Sequence, residues 1–134
     1  MNNLQKLKNL TYTRISQAVI VPVYLNIAPL NSDGSFPELP IIIIRRQSVK
    51  PKDRLITADY TRVEAMWTIS CIANTSEDCD ELAQTVFDEL DNTVIYDDDI
   101  GDIRNYVESI DDDIEIDSNV SQIDVNMRQV FSKI

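Results

Sequence analysis

The side chains of this chain that could do chemistry are carboxylates and two thiols, since its 134 residues include no histidine. That absence removes Ser-His-Asp and Cys-His nucleophilic pairs and reduces the usual zinc ligand sets to cysteines and carboxylates. Cys71 and Cys79 are too few for a structural zinc site or a disulfide framework. Asp97, Asp98, Asp99 and Asp102 surround Gly101 and invite a calcium reading. Placing Gly101 at the glycine of an EF-hand loop puts Tyr96 first, Ile100 fifth and Val107 last, so the ligand positions fail and only a loose divalent site stays open. Asp111, Asp112 and Asp113 read as a solvated turn. Paired carboxylates for glycoside chemistry would need a substrate cleft, and nothing in the sequence indicates one. Gly34 and Gly101, the two glycines, leave no material for a phosphate-cradling loop.

Cys71 falls on the inward side of a predicted strand, where a thiol acts as a small core residue. Cys79 lies in a predicted first helical turn, which favours a thiolate, yet no histidine or basic residue neighbours it in sequence. Trp67 shares a strand face with Val63 and Ile69, a packing position and not a base-stacking one. No catalytic residue, cofactor or metal ligand is therefore expected, and the chain is read as a non-enzyme.

The elements that must position these residues follow from periodicity. Leu4, Leu7 and Leu10 recur at helical spacing, with Ile15 further round, predicting a short amphipathic helix over residues 3–13. Residues 19–26 are rich in β-branched and aromatic types, and Pro22 confines that strand to an edge or a bulge. Pro29, Asn31, Ser32, Asp33, Gly34, Ser35 and Pro37 form a turn-rich loop. Residues 41–48 open with four isoleucines and predict a strand, and 51–57 read as a polar, basic connection. Across 60–73, Val63, Ala65, Trp67, Ile69, Cys71 and Ala73 point one way and Arg62, Glu64, Thr68 and Ser70 the other, a long strand with one buried face.

The clearest helix covers 76–91. Thr75 or Ser76 can cap it, Glu77, Asp78, Asp80 and Glu81 suit the positive end of its dipole, and Leu82, Ala83, Val86, Phe87 and Leu90 form one stripe. Residues 103–110 fit a helix almost as well as a strand; continued alternation over 114–117 favours a strand. Residues 122–134 close the chain, alternating through Ile123, Val125 and Met127, with a phase change toward Val130 or Phe131 that suggests a bulge. The order α-β-β-β-α-β-β predicts one α+β domain over residues 1–134. Its sheet is mainly antiparallel, with a long helix (76–91) and a short N-terminal helix packed on one face.

Hydrophobic residues make up 43% and charged residues 26%, the mix of a folded chain, and the formal net charge is −11. That charge opposes general nucleic-acid binding, because phosphate contacts need Lys and Arg. Apolar runs are broken by Pro22 and Pro40 and fall far short of a membrane span. Lys6 and Lys8 precede an apolar segment, but Arg14, Ser16 and Gln17 break it and no small-residue cleavage site follows, so reduced thiols in an intracellular setting are expected. The charge is uneven. Residues 1–63 hold nine basic against four acidic side chains; residues 64–134 hold three against 19. Such asymmetry suits head-to-tail contact between copies of one chain, or else two solvated loops of unrelated composition.

Four features together resemble the tail terminator proteins of long-tailed bacteriophages, also called tail completion or minor tail proteins. An N-terminal amphipathic helix leads to a strand with a Pro turn, here Val21-Pro22-Val23-Tyr24 to Ala28-Pro29. An "LPxIxI" strand follows, here Leu39-Pro40-Ile41-Ile42-Ile43-Ile44. A long strand, 62–73, runs into a capped helix through Ser76-Glu77-Asp78 and Glu81-Leu82-Ala83-Gln84-Thr85-Val86, and two strands finish the chain at Val130-Phe131. The acidic stretch 97–119 is longer than the family pattern, and nothing is transferred onto it.

The resemblance implies a structural virion protein at the head-proximal end of the tail, assembled in the host cytoplasm. Its copies close into a hexameric ring on the last ring of the tail tube protein and present a surface to the neck or head completion protein. The net charge of −11 per copy adds the expectation that carboxylates of residues 64–134 line an acidic channel through which DNA passes without specific binding. The other reading is that this acidity only maintains solubility. No membrane is involved. The loop after the LPxIxI strand, holding Arg45, Arg46, Lys50, Lys52 and Arg54, is implied to project toward a neighbouring subunit or the tube. Two alternatives stay open, another head–tail connector or an acidic DNA mimic that blocks a DNA-binding enzyme. The mimic accounts for the acidity but not for the basic segment.

Overall fold

Asn2 opens the first helix with a capping box. Its side chain accepts from the Gln5 backbone N–H at 2.9 Å while the Gln5 side chain accepts from the Asn2 N–H at 3.1 Å. In the computed structural model this helix, α1, runs Asn3–Ala18. The structure describes residues 2–54, 60–117 and 119–132, with side chains described for 2–52, 62–111 and 119–132. After α1 come β1 (Val23–Leu25), β2 (Ile41–Arg54), β3 (Tyr60–Ala73), α2 (Ser76–Leu90), β4 (Thr93–Asp97), β5 (Gly101–Asp117) and β6 (Val120–Phe131).

The strands form one mixed sheet in the order β1-β2-β3-β6-β5-β4, with β1 and β2 parallel and every other neighbouring pair antiparallel. A solvent-shielded core joins α1, α2 and one sheet face: Leu7 and Ile15, then Cys79, Ala83, Val86 and Leu90, against Ile42, Ile44, Trp67, Ile69, Ile103, Val125 and Met127. This is an α+β fold with two helices on one side of a sheet. Among the described residues, the opposite face is covered at one end, where Ala28, Ile41 and Ile72 are buried beneath Phe36 and Leu39 of the 26–40 loop.

Several sequence expectations are met by these elements. The β3 positions 63, 65, 67, 69, 71 and 73 are all buried. Thr75 caps α2, accepting from Asp78 N–H at 3.1 Å. Residues 103–117 are strand, and the short parallel β1 lies at a sheet edge just after Pro22.

Other expectations need correction. The helices are of nearly equal length, 16 residues for α1 and 15 for α2, so a short first helix ending near 13 is not what forms. Its buried stripe is Leu7, Thr11 and Ile15, while Leu4 is exposed. β1 is three residues, not 19–26. One strand, β4, was not in the expected order; its apolar Val94 and Tyr96 face solvent, so it carries no amphipathic signature. β6 pairs β3 without a register shift, so the bulge expected there does not occur. Its buried phase runs Ile123, Val125, Met127, Gln129, Phe131, and the apparent break is Gln129 itself, a polar residue at a core position. The expected end of that strand at 133 and 134 lies outside the described residues.

Gln129 is fully buried and uses its whole amide. Its oxygen accepts from the Trp67 indole N–H at 2.7 Å, and its nitrogen donates to Thr11 Oγ1 at 2.9 Å and to Asn105 Oδ1 at 3.0 Å. Thr11 in turn donates to the Leu7 carbonyl, and Asn105 donates to Thr93 Oγ1. The two polar residues that disguise α1 and β6 in the sequence are therefore each other's partner. Gln129→Leu keeps the volume but strands the Trp67 N–H and the Asn105 carbonyl. At about 1–3 kcal/mol per orphaned buried group, a stability loss of about 3 kcal/mol is expected in urea unfolding. A loss below about 1 kcal/mol would show the network to be dispensable.

Candidate functional site

The basic segment inferred to be a projecting loop is strand. β2 continues through it because it pairs with β3 from Ile41↔Ile72 to Arg54↔Tyr60. β1 covers only Ile42, Ile43 and Ile44, so the rest of β2 is itself a sheet edge, which tolerates Pro51. A register shift between Arg46 and Ser48 makes Gln47 the extra residue of a bulge, and this reverses the facing of everything beyond it. Arg45, opposite Thr68, and Lys50 and Lys52, opposite Glu64 and Arg62, consequently share the face away from the helices.

Arg46 lies on the other side. It donates to the Leu4 carbonyl at 2.9 Å and stands 5.8 Å from the Trp67 ring centre, and burial lowers its pKa. It serves the α1–sheet contact and is not grouped with the other cations. The Arg54 side chain, like residues 55–57 of the expected connection, lies outside the described residues. Among the described residues, Arg45, Lys50 and Lys52 make no ion pair.

The helix-free face is a polar surface built by alternation. On β6 every second residue, Gln122, Asp124, Asn126 and Arg128, points to it, a pattern readable in the sequence but unused there. These side chains bond across strands. Ser70 donates to Asp124 at 2.8 Å, Thr68 to Asn126 at 3.1 Å, and Asn126 to Ser109 and Asp111 at 3.1 Å each. Arg128 bridges Glu108 and Glu64 and lies over the Tyr106 ring, 5.1 Å from its centre. Burial acts to lower the Arg128 pKa, and the two carboxylates outweigh it and raise it. A shift between Val107 and Ser109 on β5 is what brings Glu108 to this arginine. Such cross-strand pairs fix side-chain positions and leave the face hydrophilic, accessible and stiff.

The aspartates around Gly101 form a turn. Asp97 Oδ2 accepts from the backbone N–H groups of Asp99 at 2.9 Å and Ile100 at 3.1 Å, and Gly101 takes φ +87°, where a side chain is strained. Lys6 of α1 reaches the same turn, 3.2 Å from Asp97 and 2.5 Å from Asp99. Among the described residues, no group of three or more cysteine or carboxylate side chains is placed to hold a metal. Asp112 and Asp113 have side chains outside the described residues.

Both cysteines are buried. Burial, with the nearby Cys79 and Asp124, pushes the Cys71 thiol up to about 12, and Cys79 donates to the Ser121 carbonyl at 3.0 Å. Neither environment favours a nucleophilic thiolate. Trp67 is 1% exposed, a core position as expected. Among the described residues, no helix is long and apolar enough to cross a membrane.

No protein-family model matches the chain, and neither does any curated protein. A solved structure known only by a serial designation superposes on 100% of this chain and 99% of its own, with a TM-score of 0.72 at 9% identity. That likeness shows the fold alone.

Two outcomes follow from this geometry. Burial acts to raise the Asp97 pKa, but the backbone N–H groups and Lys6 hold it below 3.8, while its bond to Asp99 above all raises Lys6 above 10.5. Asp97 therefore adds stability above its unfolded pKa that is lost as pH falls through its depressed folded value; the Lys6 contribution is lost as pH rises through its raised one. Asp97→Asn should lower the melting temperature at pH 7 and converge with the native protein once pH falls below the depressed Asp97 pKa. A pH-independent gap would contradict the coupling. Separately, a thiol reagent at pH 8 should label neither cysteine until denaturant is added; rapid labelling of the folded chain would contradict the burial.

Proposed function

We propose that this chain is a structural virion protein whose copies close into a ring, six in number by the family resemblance, capping a phage tail tube and joining it to the neck. The observation that carries the reading is the placement of charge. β3 and β6 are central in the sheet, so the basic first half of the chain supplies one margin through β2, and the acidic second half supplies the other through β4 and β5. Opposite charges at opposite margins suit subunits meeting side by side, where electrostatic complementarity sets register and partner choice.

The helix-free face gives the channel reading specific candidates. Glu108, Asp111 and Asp124 project from it. If this face lines a ring, its carboxylates repel DNA phosphates over about 8 Å at physiological salt, so DNA slides without adhering. Arg45, Lys50 and Lys52, which make no ion pair among the described residues, stand on the same face at its β2 margin, away from the carboxylates of β5 and β6. A phosphate-imitating surface would exclude them, which favours the ring over the DNA mimic. The chain's mechanism is thus surface complementarity, with no bond made or broken.

Electron microscopy of the protein mixed with its own tail tubes should show density at one tube end and a block to further tube growth. Decoration along the tube wall, or none, would overturn the reading. In assembled particles, combined Glu108→Gln, Asp111→Asn and Asp124→Asn substitutions should slow DNA ejection. Unchanged ejection would remove the channel role from this face.

A further inference from the structure

Among the described residues, the large exposed apolar side chains are Leu4 on α1, Ile20 between α1 and β1, Ile110 on β5, and two pairs at the margins of the sheet. Ile27, 74% exposed, and Leu30 lie beside β1, and Val94 and Tyr96, 67% exposed, lie on β4. With Phe36, Ile43 and Arg45, Ile27 and Leu30 line a cavity of about 340 Å³ that runs from the 26–40 loop across the helix-free face to Ser70 and Ile72 of β3 and Gln122 of β6. Register places Ile43 and Arg45 on the helix-free face, through their pairing with Ser70 and Thr68. It places Val94 and Tyr96 on that same face, opposite Arg104 and Asp102. The recess therefore opens beside β1 and holds Arg45, a cation with no ion pair among the described residues. The other margin holds an apolar ridge ending in the turn that carries Asp98, with Asp102 and Arg104 behind it, and Asp98 and Asp102 make no ion pair among the described residues.

We propose that the recess beside β1 is the seat for the β4 edge of a second copy of this chain, Tyr96 entering it with Val94 alongside and the acidic turn facing Arg45. The inference rests on the ring reading and adds the surfaces that close it. The occupant is argued from complementarity. The recess sets apolar loop residues and Arg45 over a polar floor of Ser70 and Gln122. The ridge sets Val94 and Tyr96 beside Asp98 and Asp102 with Arg104 behind Val94, and each burial removes exposed apolar area from water. A two-fold contact would set Arg45, Lys50 and Lys52 against their own copies, which like charge opposes. The contact is therefore heterologous, each copy giving its ridge and receiving another, and such contacts close into rings when the rotation permits. Because both patches lie on the helix-free face, successive copies keep that face on one side of the assembly. β1 and β4 are also the two outermost strands, so copies joined there cover both, while β2 beyond Ile44 keeps its open edge.

The test uses full-length Ile27→Cys and Val94→Cys variants with a short bismaleimide, the native cysteines being buried. A mixture of the two should give a covalent dimer containing one of each, while either variant alone stays uncoupled; a chain carrying both substitutions should give a series ending at one closed multiple. Adding Tyr96→Asp to the Val94→Cys partner should abolish coupling, and Tyr96→Phe should retain it, with circular dichroism unchanged in both. Coupling of either single variant to itself, no coupling in the mixture, or indifference to Tyr96→Asp overturns the proposal. Tube capping without this coupling discards the interface and leaves the functional reading; coupling without tube capping does the reverse.

Discussion

The Gln129 amide is the constraint on which the remaining structure depends. It stands on a central strand with every hydrogen-bonding atom engaged, holding Trp67 of β3, Asn105 of β5 and Thr11 of α1 in one buried cluster. Buried polar atoms have discrete requirements, so the cluster admits one placement of α1 where apolar contacts alone would allow sliding. With α1 fixed, Arg14 pairs with Glu89 of α2 and Lys6 reaches the β4–β5 turn. Both helices are then committed to one side of the sheet, and the other side is left for solvent or for partners.

That division gives the molecule its mechanical character. The helix side is a packed core in which Cys71 is kept as neutral filler and Cys79 is buried beside it. The other side carries ion pairs and amide bridges that run across three strands and order the surface before anything binds. A surface ordered in advance loses less entropy when it docks. The strand order converts an imbalance along the chain into an imbalance in space, because the two halves meet at β3 and β6 and diverge to opposite margins.

Much of this was legible in the residues. The β3 alternation and the α2 cap and stripe are strong because local propensity and burial agree there. Reading failed where a polar side chain occupies a core position or an apolar one faces water. Thr11 cut α1 short, Gln129 imitated a bulge, and Val94 and Tyr96 hid a strand. The basic run in β2 imitated a loop because its partner strand, not its own composition, keeps it extended. The Gln47 bulge has no signature of its own, so the separation of Arg46 from Arg45, Lys50 and Lys52 could not be foreseen. The aspartates near Gly101 resembled ligands and are turn formers, a distinction that rests on backbone N–H direction.

The central claim is that the chain works as one segment of a circle with its helix-free face turned inward. A three-dimensional reconstruction of the assembled protein at the end of its tube resolves this directly. The account predicts β6 and β5 carboxylates facing the axis, helices outside, and the β1 margin of each copy against the β4 margin of the next. Helices facing the axis, or copies meeting through like margins, would contradict it.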